Sequence, residues 1–318
     1  MRTVYIDRRD AQLDLDGGAL VVRVAGERVQ ALPLGVLERL VVRAPANLAT
    51  RLLAELCRRD IGLLVLSGRH GEPTARLLGL PSADVRLRRT QLRLLDDEPR
   101  RTRLAASLLA AKLAAQARLL TELRDAGAGE RRLVLEGLAR VAEQAGRLDP
   151  AQGLAALLGR EGAAGAAYFA AYRTAFAPAL GFKERNRRPP RDPVNVALSL
   201  AYTLLHHEAA CAAQLAGLDP LVGVLHEPAP GRASLACDLV EPLRPHVDRF
   251  VQKLFAEAVL RPAHFTTGDD GCRLGKAGRQ LFYGAWEEGP AVGLARLLRL
   301  AARATARAVL GVEPVALP

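Results

Sequence analysis

Three short segments carry the residue types that bind divalent cations: Gly159-Arg160-Glu161-Gly162, Gly223-Val224-Leu225-His226 and Asp238-Leu239-Val240-Glu241. Together they offer one imidazole and two or three carboxylates. That mixed nitrogen and oxygen set suits Mn²⁺ or Mg²⁺ better than zinc, which more often takes thiolates or several imidazoles. On a helix, Asp238 and Glu241 share a face. The same residues also admit a purely structural account. Glu161 at a helix start is favourable with the helix dipole alone. His226 ends an apolar run and fits a core histidine satisfied by a carbonyl. Asp238-x-x-Glu241 fits a capping box, and Pro242 agrees with it, because proline is tolerated in a first helical turn. On spacing both accounts stand, and they are compatible, since a helix start is a rigid place to hold a carboxylate.

The elements that must position these residues fall into two textures. Thr3–Ile6, Ala19–Val24 and Leu40–Val42 are rich in β-branched residues and read as strands, with Asp16-Gly17-Gly18 as a turn. Asn47–Arg58 has leucines at helical spacing; Ile61–Leu66 and Ala75–Leu80 read as further strands around a turn at Gly68, Gly71 and Pro73. After Leu80-Pro81-Ser82 the chain turns to Ala, Leu and Arg, which are strong helix formers. The spacing predicts helices over Arg103–Leu123, Arg131–Gln144, Glu161–Phe176, Asn195–Leu215 and Pro290–Leu310. The expected fold is therefore α+β and multidomain: a small N-terminal β-rich domain, residues 1–82, followed by a larger all-α domain, residues 83–318, which holds every candidate ligand.

The 318 residues include 45 Lys+Arg against 34 Asp+Glu, a formal net charge of +11. Only Lys112, Lys183, Lys253 and Lys276 are lysines, so the positive charge is almost all arginine, whose planar fork matches phosphate oxygens. That balance favours a polyanion, with nucleic acid ahead of an anionic membrane. The segment Gly181–Asp192 reads as a mobile loop, and its Lys183, Arg185, Arg187, Arg188 and Arg191 are the expected DNA contacts. Arg86, Arg88, Arg89 and Arg93 form a second basic cluster, and Arg296, Arg299, Arg303 and Arg307 form a stripe along the last helix. A solvated face explains any one of them equally well. Aromatics are 4% of the chain, which argues against single-strand binding by base stacking; Tyr202 and Trp286 read as core. Half the chain is hydrophobic, so it folds. No stretch reaches the roughly 18 uninterrupted apolar residues of a membrane span. The start, MRTVYIDRRD, turns charged too soon for a secretory signal. Cys57, Cys211, Cys237 and Cys272 lie far apart with no CxxC, and read as reduced cysteines of a cytoplasmic protein.

From Glu161 to Val247 the chain resembles the CRISPR-associated integrases, the Cas-one endonucleases of spacer acquisition. The resemblance is carried by Arg160-Glu161-Gly162 with Tyr168-Phe169, by Arg188-Pro189-Pro190-Arg191-Asp192-Pro193-Val194-Asn195, and by Gly217-Leu218-Asp219-Pro220 running into Gly223-Val224-Leu225-His226. It continues in Gly231 to Pro245 (GRASLACDLVEPLRP) with Val247-Asp248. Leu108–Leu120 is similar to the family's first long helix, and the order of a β domain before a helical one agrees. The resemblance implies a Mg²⁺ or Mn²⁺ ion held by Glu161, His226 and Glu241, with Asp238 as a further acidic residue beside it, an outer-shell base or an aid to a second ion. It implies a metal-dependent DNA endonuclease/integrase that inserts spacers into a CRISPR array by phosphodiester transesterification. It also implies a homodimer formed through the N-terminal domain and a dimer of the small Cas-two protein as partner, with no membrane. Two other readings remain: a nuclease trimming branched DNA at the same site, and a non-catalytic DNA-binding scaffold, against which the intact ligand set argues.

Overall fold

Short apolar stretches separated by Gly- and Asp-containing turns build two small sheets at the start of the chain. The computed structural model describes residues 2–67, 72–77, 85–186 and 189–311, and the chain divides into two units, Met1–Ala83 and Asp84–Pro318. In the first unit β1 (Arg2–Ile6), β5 (Leu37–Val42), β7 (Gly62–Ser67) and β8 (Glu72–Leu77) form one sheet in that order. The first three strands are parallel and β8 returns antiparallel to β7. The second sheet has the order β4 (Glu27–Pro33), β3 (Ala19–Val24), β2 (Ala11–Asp16), β6 (Ala46–Leu48). Gly17 and Gly18 close the β2–β3 hairpin with φ of 55° and 76°, a left-handed pair that glycine adopts without a Cβ penalty. Leu13, Leu20 and Leu40 of the strands pack with Leu52 and Leu56 of α1 (Thr50–Arg58) in one core. The strand pattern missed β2, whose Ala11, Leu13 and Leu15 alternate with Gln12, Asp14 and Asp16 but include no β-branched residue, β4, which is exposed along most of its length, and the three-residue β6. The Gly68–Gly71 turn and the Leu80-Pro81-Ser82 junction lie outside the described residues.

The second unit holds α2 (Val85–Arg93), α3 (Glu98–Asp125), α4 (Arg131–Gly146), α5 (Gly153–Tyr172), α6 (Pro193–Leu215), α7 (Ser234–Val240), α8 (Arg244–Ala256), α9 (Lys276–Glu288) and α10 (Ala291–Leu310). It also contains an antiparallel hairpin of β9 (Phe265–Gly268) and β10 (Gly271–Leu274), an addition to the all-α domain expected from the sequence. Asp97 starts α3 by accepting the Arg100 N–H at 3.1 Å, and Asp192 starts α6 by accepting the Asn195 N–H at 2.9 Å. Proline follows each cap, where its missing N–H costs nothing. The helices α4, α5 and α8 pack on α3, and α7, α8 and α10 pack on α6. By length and composition α3 alone among the described helices could cross a membrane, and most of its apolar stretch is buried against the other helices. Helix α5 begins at Gly153, so Glu161 lies inside it rather than at its start. The helix-dipole account of Glu161 therefore does not apply.

Candidate active site

Helix α3 presents Lys112, α5 presents Glu161, and the short 3-10 turn Glu241–Leu243 after α7 presents Glu241. The Lys112 ammonium bridges the two carboxylates. It donates to Glu161 Oε1 and lies 2.6 Å from Glu241 Oε2. The other Glu241 oxygen, Oε1, is ion-paired with Arg244 Nε at 2.9 Å. Burial works to raise the Glu241 pKa, but Arg244, Lys112 and His226 outweigh it and hold the group at about 2. Small residues clear the surroundings of Glu161. Gly165, one turn on, leaves its missing Cβ position 3.7 Å from Glu161 Oε1, and Gly162 faces open space.

His226 sits on a loop between α6 and α7 that three helices pin from different sides. Gln91 of α2 donates to the Asp219 and Val222 carbonyls at 3.0 and 2.8 Å and accepts the Asp219 N–H at 2.9 Å. Arg101 of α3 donates to the Val224 carbonyl at 2.9 Å and pairs with Glu227 at 2.6 Å. Asp238 of α7 does the rest. Its Oδ2 accepts the Val224 and Leu225 N–H groups at 2.6 and 3.1 Å, and its Oδ1 accepts the His226 N–H at 3.0 Å and the His226 Nδ1–H at 2.7 Å. A carboxylate has about four acceptor positions, and these four donors fill them. Asp238 is fully buried, so it has no lone pair left for a proton transfer or an ion. The capping-box account also fails: Asp238 lies inside α7, and the cap position is Ala233. Its work is to hold the His226 ring with Nδ1 protonated, which leaves Nε2 as the basic nitrogen. Gly223 is required by this contact, because a Cβ there would stand 2.8 Å from Asp238 Oδ2 and 2.7 Å from the His226 carbonyl oxygen.

Behind Glu241 lies a buried tyrosine cage. Asp248 of α8 accepts from the Tyr168 hydroxyl at 2.6 Å and from the Tyr202 hydroxyl, while the Tyr172 hydroxyl donates to its carbonyl at 2.8 Å. Burial pushes the Asp248 carboxyl up to about 6 against the opposing pull of the two hydroxyls, Arg244 and Arg185. Burial, with the Asp248 charge, raises the three tyrosines well above their ordinary value, so they act as hydrogen-bond donors. The Arg244 guanidinium stacks 4.9 Å from the Tyr202 ring centre. Glu241 is thus tied through Arg244 and Tyr202 to Asp248. Sequence reasoning missed Lys112, Arg244 and Asp248, although Val247-Asp248 and Arg244 stand inside the segment that carries the resemblance.

The donor chemistry fits a hard divalent cation. Two carboxylates converge on one positive charge, and a histidine with a fixed tautomer interacts electrostatically with one of them. Among the described residues no three His, Cys, Asp or Glu side chains close on a single point, and the Lys112 ammonium bridges the two glutamates.

A family profile described as CRISPR associated protein Cas1 matches residues 4–288. The chain belongs to this family. It is 36% identical over 300 residues to CRISPR-associated endonuclease Cas1 1 of Thermodesulfovibrio yellowstonii, covering 91% of each chain. Its fold is that of a solved casposase bound to integration product, with a TM-score of 0.84, 21% identity, and coverage of 99% of this chain and 92% of the other. It is also that of a Cas6-RT-Cas1–Cas2 complex chain, with a TM-score of 0.83, 21% identity, and coverage of 98% of this chain and 35% of the other.

Within this Cas1-family fold, the residues expected to touch DNA take different places. Lys183 and Arg191 are exposed. Arg187 and Arg188 lie outside the described residues. Arg185 turns inward: it donates to Asn195 Oδ1 at 2.7 Å and Ser199 Oγ at 3.1 Å, and its guanidinium lies 5.5 Å from the Tyr202 ring centre. Asn195 in turn accepts the Asn186 N–H at 3.0 Å and donates to the Glu184 carbonyl at 2.8 Å, so the described part of this segment is tied to α6 rather than free. Helices α2 and α10 pack together, which unites two basic clusters far apart in sequence. Arg86, Arg89, Arg93, Arg296, Arg303 and Arg307 are exposed on them. Trp286 is core, stacked on Phe282.

Proposed function

We propose that this chain is a metal-dependent DNA endonuclease/integrase that joins DNA ends into a CRISPR array by phosphodiester transesterification. The observation that carries the reading is the pairing of Glu161 and Glu241 across one cation, beside a histidine whose Nδ1 is locked by Asp238. Glu161, Glu241 and His226 Nε2 would hold Mg²⁺ or Mn²⁺. Such an ion, when bound, lowers the pKa of a hydroxyl and draws charge from phosphoryl oxygens. Asp238 fixes the histidine tautomer, and Arg244 holds one Glu241 oxygen so that the other faces the site. Glu161 and His226 are about a quarter exposed, and Asp238 and Glu241 are buried, so the substrate side is the Glu161–His226 edge. The arginine-rich surface supplies phosphate contacts. The endonuclease name of the Thermodesulfovibrio relative and the integration product in the casposase structure support DNA strand chemistry. The Cas1–Cas2 complex of the same fold supports Cas2 as a partner, and a homodimer of this chain with a Cas2 dimer belongs to the proposal.

The test is strand transfer. Protein with and without Cas2 is mixed with Mn²⁺, short duplexes bearing 3′-hydroxyls and a supercoiled repeat-bearing plasmid. Joined products that vanish in His226→Ala and Glu241→Ala are expected. Cleavage without joining would favour a nuclease of branched DNA at the same site. Activity surviving both substitutions would place the chemistry elsewhere.

A further inference from the structure

Lys112 is one of only four lysines in an arginine-rich chain, and it is the residue that stands between the two candidate ligand carboxylates. We infer that Lys112 is the internal counter-ion of the site: its ammonium neutralises Glu161 and Glu241 in the metal-free protein and has to be displaced when a divalent ion loads. This rests on the metal reading above. The two glutamates would otherwise repel each other in a partly buried setting, where charge interactions are several-fold stronger than in water. The partners of Glu241 divide the labour. Its Oε1 is ion-paired with Arg244, which is itself stacked on Tyr202, whereas its Oε2 is ion-paired with the ammonium alone among the described residues. The exchangeable partner is a lysine, a point charge on a flexible stem that can withdraw toward the open Glu161 edge. An arginine fork, bidentate and planar, would not let go as readily. The ammonium thus keeps the acidic pair assembled without metal, at a cost in metal affinity.

Three proteins separate this inference from the metal reading: wild type, Lys112→Met and His226→Ala, each as the full chain. Mn²⁺ affinity is read by titration calorimetry, and melting temperature is read in chelator. The expected result is that Lys112→Met binds Mn²⁺ about tenfold or more tightly than wild type, since one positive charge no longer opposes the ion, and melts lower in chelator. Equal affinity and equal melting would overturn the inference while leaving the metal site intact. Weaker binding by Lys112→Met would overturn it too, because the lysine would then be assembling the site for the ion. Where Lys112→Met does not fold, Lys112→Arg carries the test: weaker Mn²⁺ binding is expected, and equal or tighter binding refutes the inference. A wild type that binds no Mn²⁺, or binds it as well as His226→Ala does, overturns the metal reading and the inference with it.

Discussion

Replacing Asp248 with Asn should change how stability depends on pH, with a sign that can be worked out from the structure. Burial outweighs the hydroxyls of Tyr168 and Tyr202 and raises the Asp248 carboxyl from 3.8 to about 6 in the folded protein. A carboxyl raised on folding binds its proton more tightly in the folded state, so it favours folding at low pH. That advantage is complete below the unfolded value and is lost as pH climbs from about 4 through about 6. The rise corresponds to about 3 kcal/mol in all, of which about 2 kcal/mol falls between pH 4.5 and 7.5. Asn cannot titrate, so the stability difference between wild type and Asp248→Asn should move by that amount, in favour of wild type at the acid end. Glu241 has the opposite sign, because its folded value of about 2 helps folding above its ordinary value and loses that help only as pH falls below about 4. It is present in both proteins and cancels. Urea unfolding of the two proteins at pH 4.5, 5.5, 6.5 and 7.5 measures the difference directly. A difference that stays flat across this range would refute the argument, and would mean that Asp248 is ionised in the folded protein throughout.

Other expectations concern the His226 loop and the basic surface. Gly223→Ala should cost about 1–3 kcal/mol in unfolding experiments by overpacking, and should reduce strand transfer, because its Cβ would meet Asp238 Oδ2, the His226 carbonyl oxygen and Ser234 within 2.8 Å. Asp238→Asn replaces an acceptor oxygen with a donor facing N–H groups in a dry site, so a loss on the order of 3 kcal/mol is expected in denaturant unfolding. Arg185→Ala should lower the melting temperature while changing the salt dependence of DNA binding little, since its guanidinium is committed to Asn195 and Ser199. Joint removal of Lys183 and Arg191 should instead flatten the slope of log K against log salt by roughly 0.9 per lost phosphate contact. An unchanged slope would move the DNA path to the exposed arginines of α2 and α10.

The long helices were legible because their apolar spacing repeats for many turns, as in α3, α6 and α10. Glu161, His226 and Glu241 stood out by residue type and motif, and the fold brings Glu161 and Glu241 onto one ammonium. What could not be read locally was contact between distant segments. Nothing near Lys112 marks it: it sits among alanines and leucines of an amphipathic helix, and its partners come from α5 and from the turn after α7. Arg185 looked like its basic neighbours, yet Asn195 Oδ1 and Ser199 Oγ, both on α6, turn it inward. The mid-helix place of Glu161 was obscured because Gly153 to Arg160 holds two glycines and no strong polar face, so the helix start was set too late.

Asp238 and Glu241 show why spacing alone could not separate two acids with different partners. They are both acidic, both buried and three residues apart, and by periodicity they share a face. Their difference comes from what each meets. Asp238 faces a loop whose Val224, Leu225 and His226 N–H groups point inward with no strand or helix to satisfy them, and a carboxylate is the group that can accept from three of them and an imidazole together. Glu241 comes after the helix has tightened into a 3-10 turn, which carries it toward α3, where it meets cations instead of amides. A carboxylate saturated by neutral donors becomes part of the scaffold. Glu241 is instead held by ion pairs, with Lys112 on one oxygen and Arg244 on the other. The loop conformation and the tightened turn therefore decide which acid is saturated by neutral donors and which is paired with cations.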